Sequence, residues 1–404
     1  MSTDGPDRRA FLRGGVAALG GAALALGGRS AWDAATTSDV GAPPADAVGR
    51  AVVPAHGLRQ AGVGTAPQSF AAFVSLDLAD GVDREALVRL MRIWTDDIER
   101  LTTGRPGLAD TEPELAAVPA RLTVTVGYGP GLFAAAALED QRPSWLAPLP
   151  PFSIDRLEDA WSGGDLVLQV CADDEVTIAH AVRLLVKDAR TFTTVRWTQR
   201  GFRRSPGSTP SGTTMRNLMG QVDGTRNPSP ETEAALIWHA EGPAWLTGGT
   251  SMVIRRIAMD LDTWDAVDRT GREFALGRRL ADGSPLTGSS EQDVPDLDAV
   301  DALGFPVIDT AAHIRRARSD APSERFLRRP YSYDDPPPPG VLSRSGLVFV
   351  TFQRDPVVQF VPIQRRLDEA DLLNRWTTPI GSAVFAIPGG FRPGEHLGRR
   401  LLGP

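Results

Sequence analysis

Residues 220–228 read Gly220-Gln221-Val222-Asp223-Gly224-Thr225-Arg226-Asn227-Pro228, the most informative stretch of the chain. Glycine, asparagine and proline favour a turn, because they accept or impose backbone angles that other residues avoid. The turn contains one acidic side chain, that of Asp223. Asp223 is therefore a candidate catalytic residue whose carboxylate projects from the loop. The competing interpretation is that this carboxylate caps neighbouring backbone amides, a frequent role for aspartate before glycine.

A histidine and an arginine downstream complete a candidate reactive set. His313 lies in the segment Asp-Thr-Ala-Ala-His-Ile-Arg-Arg (309–316), and Arg328 lies in Phe-Leu-Arg-Arg-Pro-Tyr-Ser-Tyr (326–333). A partly desolvated carboxylate can move a proton between the two oxygens of hydrogen peroxide, because desolvation raises its pKa toward the working range. One imidazole suffices to ligate haem iron, and a guanidinium can stabilise negative charge on a departing oxygen. Asp223 and Arg328 are thus the candidate catalytic residues and His313 the candidate iron ligand.

Ordinary structural roles compete with each of these assignments. A lone histidine is more often a core or surface residue than a ligand, and arginines are usually solvated. We prefer Arg328 to Arg329 because neighbours on an extended segment point to opposite sides, so only one can face the site. Asp309 is our candidate for a carboxylate that orients the His313 ring. Two arginines that follow this histidine are candidates for binding haem propionates: Arg315 and Arg316.

Length and composition limit the classes of function. A chain of 404 residues exceeds the usual size of a single core, so we expect two domains. The net charge of −7 and the absence of a basic stripe argue against nucleic acid as a partner. Cys171 is the one cysteine, so no intramolecular disulfide can form and no cysteine cluster can hold a metal. None of the five histidines shows a spacing typical of a multi-histidine metal site.

The N-terminus resembles an export signal. Arg8 and Arg9 precede a weakly apolar, Gly- and Ala-rich segment that is too short to span a bilayer stably. Twin arginines before such a segment predict a Tat signal, which we assign with its leader to residues 1–41. The predicted location is therefore periplasmic, cell-envelope or extracellular, and the Tat translocase is a predicted partner during export.

Hydrophobic periodicity predicts an α+β protein with antiparallel sheets. Residues 67–204 alternate strand–helix–strand twice, which is the ferredoxin-like order. Residues 202–212 break every periodicity and predict a domain boundary, so residues 205–404 form the predicted second domain. No sequence repeat is visible between the two halves. Residues 42–66 are rich in Gly, Ala and Pro, and we expect them to be a loosely ordered segment.

Several motifs together resemble those of Dyp-type (dye-decolorizing) haem peroxidases of the Tat-exported bacterial type. They are the turn at 220–228 with its preceding Arg-Asn-Leu-Met (216–219), Pro-Ala-Trp-Leu-Thr-Gly-Gly-Thr (243–250), Arg-Arg-Pro-Tyr-Ser-Tyr (328–333) and Gln-Arg-Arg-Leu (364–367). The resemblance implies two ferredoxin-like domains, with one haem b per chain held mainly by the second. It implies Asp223 and Arg328 on the distal side of the haem and His313 on the proximal side. Gly224 and Thr225 would then line the cofactor site.

The same resemblance implies hydrogen peroxide and a bulky organic electron donor, such as a dye or phenolic compound, as substrates. A homo-oligomer is compatible with it. Three positions depart from the family pattern: Gln221, the pair Arg318-Ser319, and Pro330. Two other functions stay open: a haem-processing, deferrochelatase-like component of iron uptake, and a haem-binding protein without turnover.

The tyrosines suggest how bulky substrates could be oxidised without reaching a buried haem. Tyr331 and Tyr333 lie within a few residues of Arg328, so they begin close to the predicted site. They could relay electrons from the surface, with Trp264 and Trp376 as further stations. Alternatively, both tyrosines pack in the core with their hydroxyls hydrogen-bonded, which is the commoner role of tyrosine.

Overall fold

The structure is a computed structural model that describes residues 47–210, 212–319 and 321–404. The predicted Tat signal and the first part of the predicted loose segment lie outside the described residues. Residues Val48–Pro404 form one compact unit. Within the described part of the chain, no helix has the length and apolar character needed to cross a membrane.

The described residues form a nine-stranded antiparallel sheet. Its strands are β1 (Phe70–Leu78), β2 (Thr123–Tyr128), β3 (Leu166–Ala172), β4 (Thr193–Phe202), β5 (Thr250–Met259), β6 (Leu327–Arg328), β7 (Tyr331–Asp335), β8 (Arg344–Gln353) and β9 (Thr377–Ile387).

Helices and helical turns lie between these strands. The α-helices are α1 (Ala47–Arg50), α2 (Arg84–Leu101), α3 (Pro130–Ala135), α4 (Glu175–Ala189), α5 (Ala234–Ile237), α6 (Leu261–Asp265), α7 (Arg269–Leu276), α8 (His313–Ala317), α9 (Pro356–Ala370) and α10 (Arg399–Leu402).

The first four strands and two of the helices form a ferredoxin-like half. Its strand order is β2-β3-β1-β4, with α2 and α4 as the helical connections. Asp83 begins α2 by accepting a hydrogen bond from the Ala86 amide, and Asp174 begins α4 in the same way from Thr177. The buried side of α2 includes Leu87, Leu90, Met91, Trp94 and Ile98, the face that the helical periodicity predicts.

The later strands repeat this order, so the predicted pair of ferredoxin-like units is confirmed. In the second half the strand order is β9-β5-β8-β7. The short strand β6 also pairs with β8, next to β7 along the same edge. The chain between β5 and β6 is much longer than the corresponding connection in the first half, and it contains α6, α7 and α8. The equivalent of α4 is α9, which Asp355 caps through the Val357 amide.

The two halves close into one ring of strands. β2 pairs with β9 at Tyr128 and Ala386, and β4 pairs with β7 at Phe202 and Ser332. Each seam consists of a single residue pair, whereas the pairings within a half run along most of a strand. Side chains from both halves fill the interior of the ring, among them Phe73, Val167, Met252, Val350 and Phe385. The two units therefore share a core.

The prediction that residues 42–66 are loosely ordered is wrong for the described part of that segment. Gln60 and Val63 are buried, and the Gln60 amide side chain hydrogen-bonds both to Val126 of β2 and to Pro388 after β9. At the other seam, the Arg329 guanidinium donates to the carbonyl of Thr65 and to Gln68. Low hydrophobicity misled the prediction, because this segment is fixed by hydrogen bonds across both seams.

Candidate functional site

The loop that carries Asp223 is held by its own backbone and by Asn217. The Asp223 N–H donates to the Met215 carbonyl (2.8 Å), and the Asn217 side-chain oxygen accepts from the amides of Met219 (3.1 Å) and Gln221 (3.2 Å). The side chain of Gln221, which departs from the family pattern, receives a hydrogen bond from Asn217. These contacts fix the direction in which the Asp223 carboxylate leaves the turn.

Asp223 and Arg328 form an ion pair. The Arg328 Nη1 lies 3.2 Å from Asp223 Oδ1, and the Asp223 side chain is 8% exposed while that of Arg328 is 26% exposed. Arg329 has the opposite orientation and is buried against Thr65 and Gln68. The alternation of an extended segment thus directs Arg328 toward Asp223 and Arg329 into the shared core.

His313 begins α8 and is oriented by a carboxylate. Its Nδ1 lies 2.7 Å from Asp371 Oδ2, just after α9. An ionised carboxylate accepts hydrogen bonds and cannot donate them, so Nδ1 carries the proton and Nε2 keeps its lone pair for a ligand. The assignment of Asp309 to this role is wrong, because its carboxylate accepts from the Ala311 amide within its own turn.

The electrostatic surroundings connect His313 with the ion pair. Burial lowers the pKa of His313 and is the largest single influence, but Asp371 and Asp223 outweigh it, so that the pKa is raised. Arg328 acts in the opposite direction on the same ring. Despite this burial, 26% of the His313 side chain is accessible. The His313 ring is therefore partly accessible and lies within electrostatic reach of Asp223 and Arg328.

Arg315 and Arg316 are not free cations beside His313 in the structure, because both guanidinium groups have protein partners. The Arg315 guanidinium donates to the carbonyls of Leu297 and Ile308, and Arg316 donates to the Arg366 carbonyl and pairs with Glu369. Their predicted contact with propionates is therefore not supported by their geometry, since protein groups already occupy both side chains. Two further predicted cofactor residues, Gly224 and Thr225, directly follow Asp223 in its turn.

Two arginines that the sequence did not single out lie near the ion pair. Burial is the main reason that the pKa of Arg278 is lowered, and the positive charge of Arg328 lowers that pKa further. Burial also lowers the pKa of Arg203, although the charge of Asp223 opposes that shift. Arg203 donates to the sulfur of Met215, whose carbonyl holds the Asp223 amide. The approach to Asp223 is thus strongly cationic in a protein whose net charge is −7.

Neither of the tyrosines proposed as relay stations reaches the surface. Tyr331 and Tyr333 are both buried. The guanidinium of Arg256 lies between the rings of Tyr333 (4.3 Å) and Trp161 (4.0 Å). An adjacent cation makes removal of an electron from a ring harder, which weakens the case for a route through Tyr333.

The residues present fit a haem iron better than a bare metal ion. Among residues 47–404, leaving aside positions 211 and 320, no three His, Cys, Asp or Glu side chains come together as a metal site. His313 offers one imidazole whose Nδ1 is paired with a carboxylate and whose side chain is 26% accessible. Proximal histidines of haem proteins are ligands of this kind.

Comparisons with known proteins identify sequences similar to this chain. Residues 60–203 match the family model described as Dyp-type peroxidase, N-terminal, and residues 214–392 match Dyp-type peroxidase, C-terminal. A dye-decolorizing peroxidase from Thermobifida fusca is 38% identical, with 98% of this chain and 97% of the relative covered. A deferrochelatase from Escherichia coli (strain UTI89 / UPEC) is 32% identical over the same shares of 98% and 97%.

Solved structures are also similar. A DyP-type peroxidase from Cellulomonas bogoriensis matches with a TM-score of 0.87 and 64% identity, covering 88% of this chain and 99% of the other. A DypB variant from Rhodococcus jostii RHA1 in complex with heme matches with a TM-score of 0.61 and 20% identity, covering 82% of this chain and 96% of the other. At that identity the second match supports the fold only.

Proposed function

The chain belongs to the Dyp-type peroxidase family and is a haem peroxidase, and on that premise we propose that it uses hydrogen peroxide to oxidise bulky organic reductants such as dyes and phenolics. Asp223 and Arg328 would act on the distal side of one haem b per chain, with His313 as the iron ligand. The observation that supports this assignment best is the Asp223–Arg328 ion pair within electrostatic reach of the accessible His313 ring.

Each side chain has a distinct task in this proposal. His313 would hold the haem, which when bound would supply a binding site for peroxide and the two electrons needed to break the O–O bond. Asp223 takes the proton from the near oxygen of peroxide and returns it to the far oxygen, which leaves as water. Arg328 stabilises the negative charge that develops on the departing oxygen, and its contact with Asp223 holds the carboxylate in place. Asp371 keeps the His313 ring in the orientation that presents Nε2.

Stopped-flow mixing of the haem-loaded protein with hydrogen peroxide tests these roles. We expect Asp223→Asn to slow the reaction by about 10²–10⁴-fold and Arg328→Leu by about 10²–10³-fold. Arg344→Leu, which removes an exposed arginine of β8, is the matched control and should react as the wild type does. Wild-type traces from both Asp223→Asn and Arg328→Leu would remove these residues from the mechanism.

Deferrochelatase-like removal of iron from haem is the second candidate function. The relatives named deferrochelatase, at 32% identity over nearly the whole chain, favour it. The two functions separate chemically: incubation with haem in the absence of peroxide should yield metal-free protoporphyrin only if iron release is catalysed. Intact haem after many equivalents have been incubated would contradict this alternative, whereas peroxide turnover of a dye would support the first.

Export by the Tat pathway is part of the proposal. It rests on Arg8 and Arg9 and on the short apolar segment after them. Replacement of both arginines by lysine should retain the protein in the cytoplasm, as cell fractionation would measure. Export of that variant at the wild-type level would contradict the Tat assignment. A homo-oligomer remains compatible with the proposal and is testable by the mass of the purified protein in solution.

A further inference from the structure

The side chain of Asn227 is hydrogen-bonded to the backbone of Arg328 in both directions. Its Oδ1 accepts from the Arg328 N–H at 2.7 Å, and its Nδ2 donates to the Arg328 carbonyl at 2.8 Å. A primary amide can complete such a pair because it offers one acceptor and two donors on one rigid plane. Asn227 thus binds Arg328 in the way that a neighbouring strand would.

This contact replaces a missing strand partner. β6 lies at the end of the strand order, and the Arg329 N–H donates to the Val350 carbonyl of β8. Because successive backbone groups of a strand point to opposite sides, the N–H and carbonyl of Arg328 are directed away from β8. Pro330, which follows, has no N–H to add to the ladder. Without the amide of Asn227, the backbone N–H and carbonyl of Arg328 would have no protein partner.

The same contact joins the two catalytic segments. Asp223 and Asn227 belong to one turn, in which the Asn227 N–H donates to the Gly224 carbonyl (3.0 Å). Arg328 belongs to the strand edge, more than a hundred positions later in the sequence. The amide therefore holds the main chain of the arginine at a set distance from the loop that carries the carboxylate, while the side chains meet at 3.2 Å.

We propose that Asn227 is a positioning residue that fixes Arg328 against Asp223 and thereby sets the rate of reaction with peroxide. The inference rests on the proposed function, because Arg328 must first act in that reaction. Asn227 itself acts through the backbone of Arg328. A displacement of about 1 Å of a catalytic group is enough to cost roughly 10²-fold in rate.

The first experiment measures the peroxide reaction of haem-loaded variants by stopped flow. We expect Asn227→Ala to slow it by about 10- to 100-fold with unchanged haem content. Asn227→Asp keeps the acceptor for the Arg328 N–H and loses the donor, so it should fall between Asn227→Ala and the wild type. Ser229→Ala is the matched control, because Ser229 lies in the same loop and its hydroxyl bonds within residues 229–232.

A double-mutant cycle separates positioning from general loosening of the loop. In an Arg328→Leu background, Asn227→Ala should cause no further loss, since the guanidinium that it positions is already gone. Equal fold-losses in both backgrounds, or an Asn227→Ala rate equal to that of Ser229→Ala, would overturn the proposal. If Asn227→Ala does not accumulate as folded protein, Asn227→Asp serves in the same cycle.

Backbone hydrogen exchange gives a measurement that is independent of turnover. The amide of Arg328 should exchange faster in Asn227→Ala than in the wild type, with haem bound and without it, because its acceptor has been removed. Unchanged exchange at that amide would overturn the proposed contact. A wild-type protein that does not react with peroxide would contradict the proposed function instead, and the exchange result would still decide whether Asn227 holds Arg328.

Discussion

Each half of the protein contains a histidine that is hydrogen-bonded to an aspartate, and the two pairs differ in what surrounds them. In the first half, His180 Nε2 lies 2.9 Å from Asp110, with side chains that are 3% and 1% exposed. In the second half, His313 Nδ1 lies 2.7 Å from Asp371, with side chains that are 26% and 4% exposed. Similar His–Asp pairs thus occur in both halves, but the pair of the first half is fully buried and the histidine of the second half is partly accessible.

The difference lies in the free nitrogen of each ring. The Nδ1 of His180 is buried and has no hydrogen-bond partner among the described residues, because α4 and the loop after α2 pack around it. His313 stands at the start of a short helix in the long connection between β5 and β6, where its ring is partly accessible and within electrostatic reach of Asp223 and Arg328. The difference between the two histidines therefore comes from the insertion, which leaves the His313 ring accessible, and not from the His–Asp pair itself.

Replacing each histidine by alanine should give the largest difference between the proposed haem ligand, His313, and the structural histidine, His180. His313→Ala should lose haem or greatly lower its occupancy, because the iron ligand is gone. His180→Ala should retain haem and lose about 1–3 kcal/mol of stability, because Asp110 is left buried without its partner. Haem absorbance per protein and thermal unfolding measure the two effects. Normal haem content and spectrum in His313→Ala would contradict its assignment as the ligand.

The aspartate partners should show the same asymmetry with a smaller effect. Asp371→Asn should lower haem affinity or peroxide reactivity by about 10–100-fold, because the orienting acceptor of the His313 ring loses its charge. Asp110→Asn, the matched substitution in the closed pair, should leave both properties unchanged. Haem titration and stopped-flow mixing provide the measurements. An equal loss of affinity in both variants would mean that Asp371 acts only through stability.

A buried carboxyl in the first half should make stability depend on pH. Burial and then a hydrogen bond with Asp188 raise the pKa of Asp97 from 3.8 to about 7. Because the folded pKa lies above the unfolded one, this contribution is complete below about pH 4 and is lost as the pH rises toward 7.

Substitution of Asp97 tests that dependence. Asp97→Asn should remove it and make the protein more stable than the wild type at pH 7, by on the order of 1–3 kcal/mol. Asp96→Asn, at a half-exposed neighbour that pairs with Arg100, is the control and should keep most of the wild-type slope, because the charge of Asp96 is the smallest cause of the raised pKa of Asp97. Urea unfolding at pH 4.5 and pH 7 measures the difference. A wild-type pH slope in Asp97→Asn would rule out Asp97 as its source.

The smallest effects are expected at the tyrosines between the two halves. Since Tyr331 and Tyr333 are buried and Arg256 stacks on Tyr333, we expect the phenylalanine variants to change turnover of an anthraquinone dye by less than about twofold. A small phenol serves as the control substrate, because it does not require a relay. Selective loss of dye turnover in either single variant or in the double variant would restore the relay hypothesis.

The fold followed largely from local patterns. The order of elements in the first half was readable from sequence because strand and helix periodicity depend on neighbours within a few residues, as do the caps that Asp83 and Asp174 form. The closure of the ring was not readable. Its seams are single pairs between distant strands, and residues 60–68 secure them through side-chain amides that show no periodicity.

The sequence by itself determined the family and nominated Asp223, His313 and Arg328, because motif residues and turn chemistry are local properties of the chain. Tertiary structure decided their partners. The partner of His313 is Asp371 and not Asp309. Arg328 pairs with Asp223, whereas Arg329 lies in the core. Asn227 connects the loop to the strand edge through the backbone of Arg328. These contacts join residues far apart in sequence, and hydrogen-bond geometry over such separations is fixed only when the sheet and its insertions pack together.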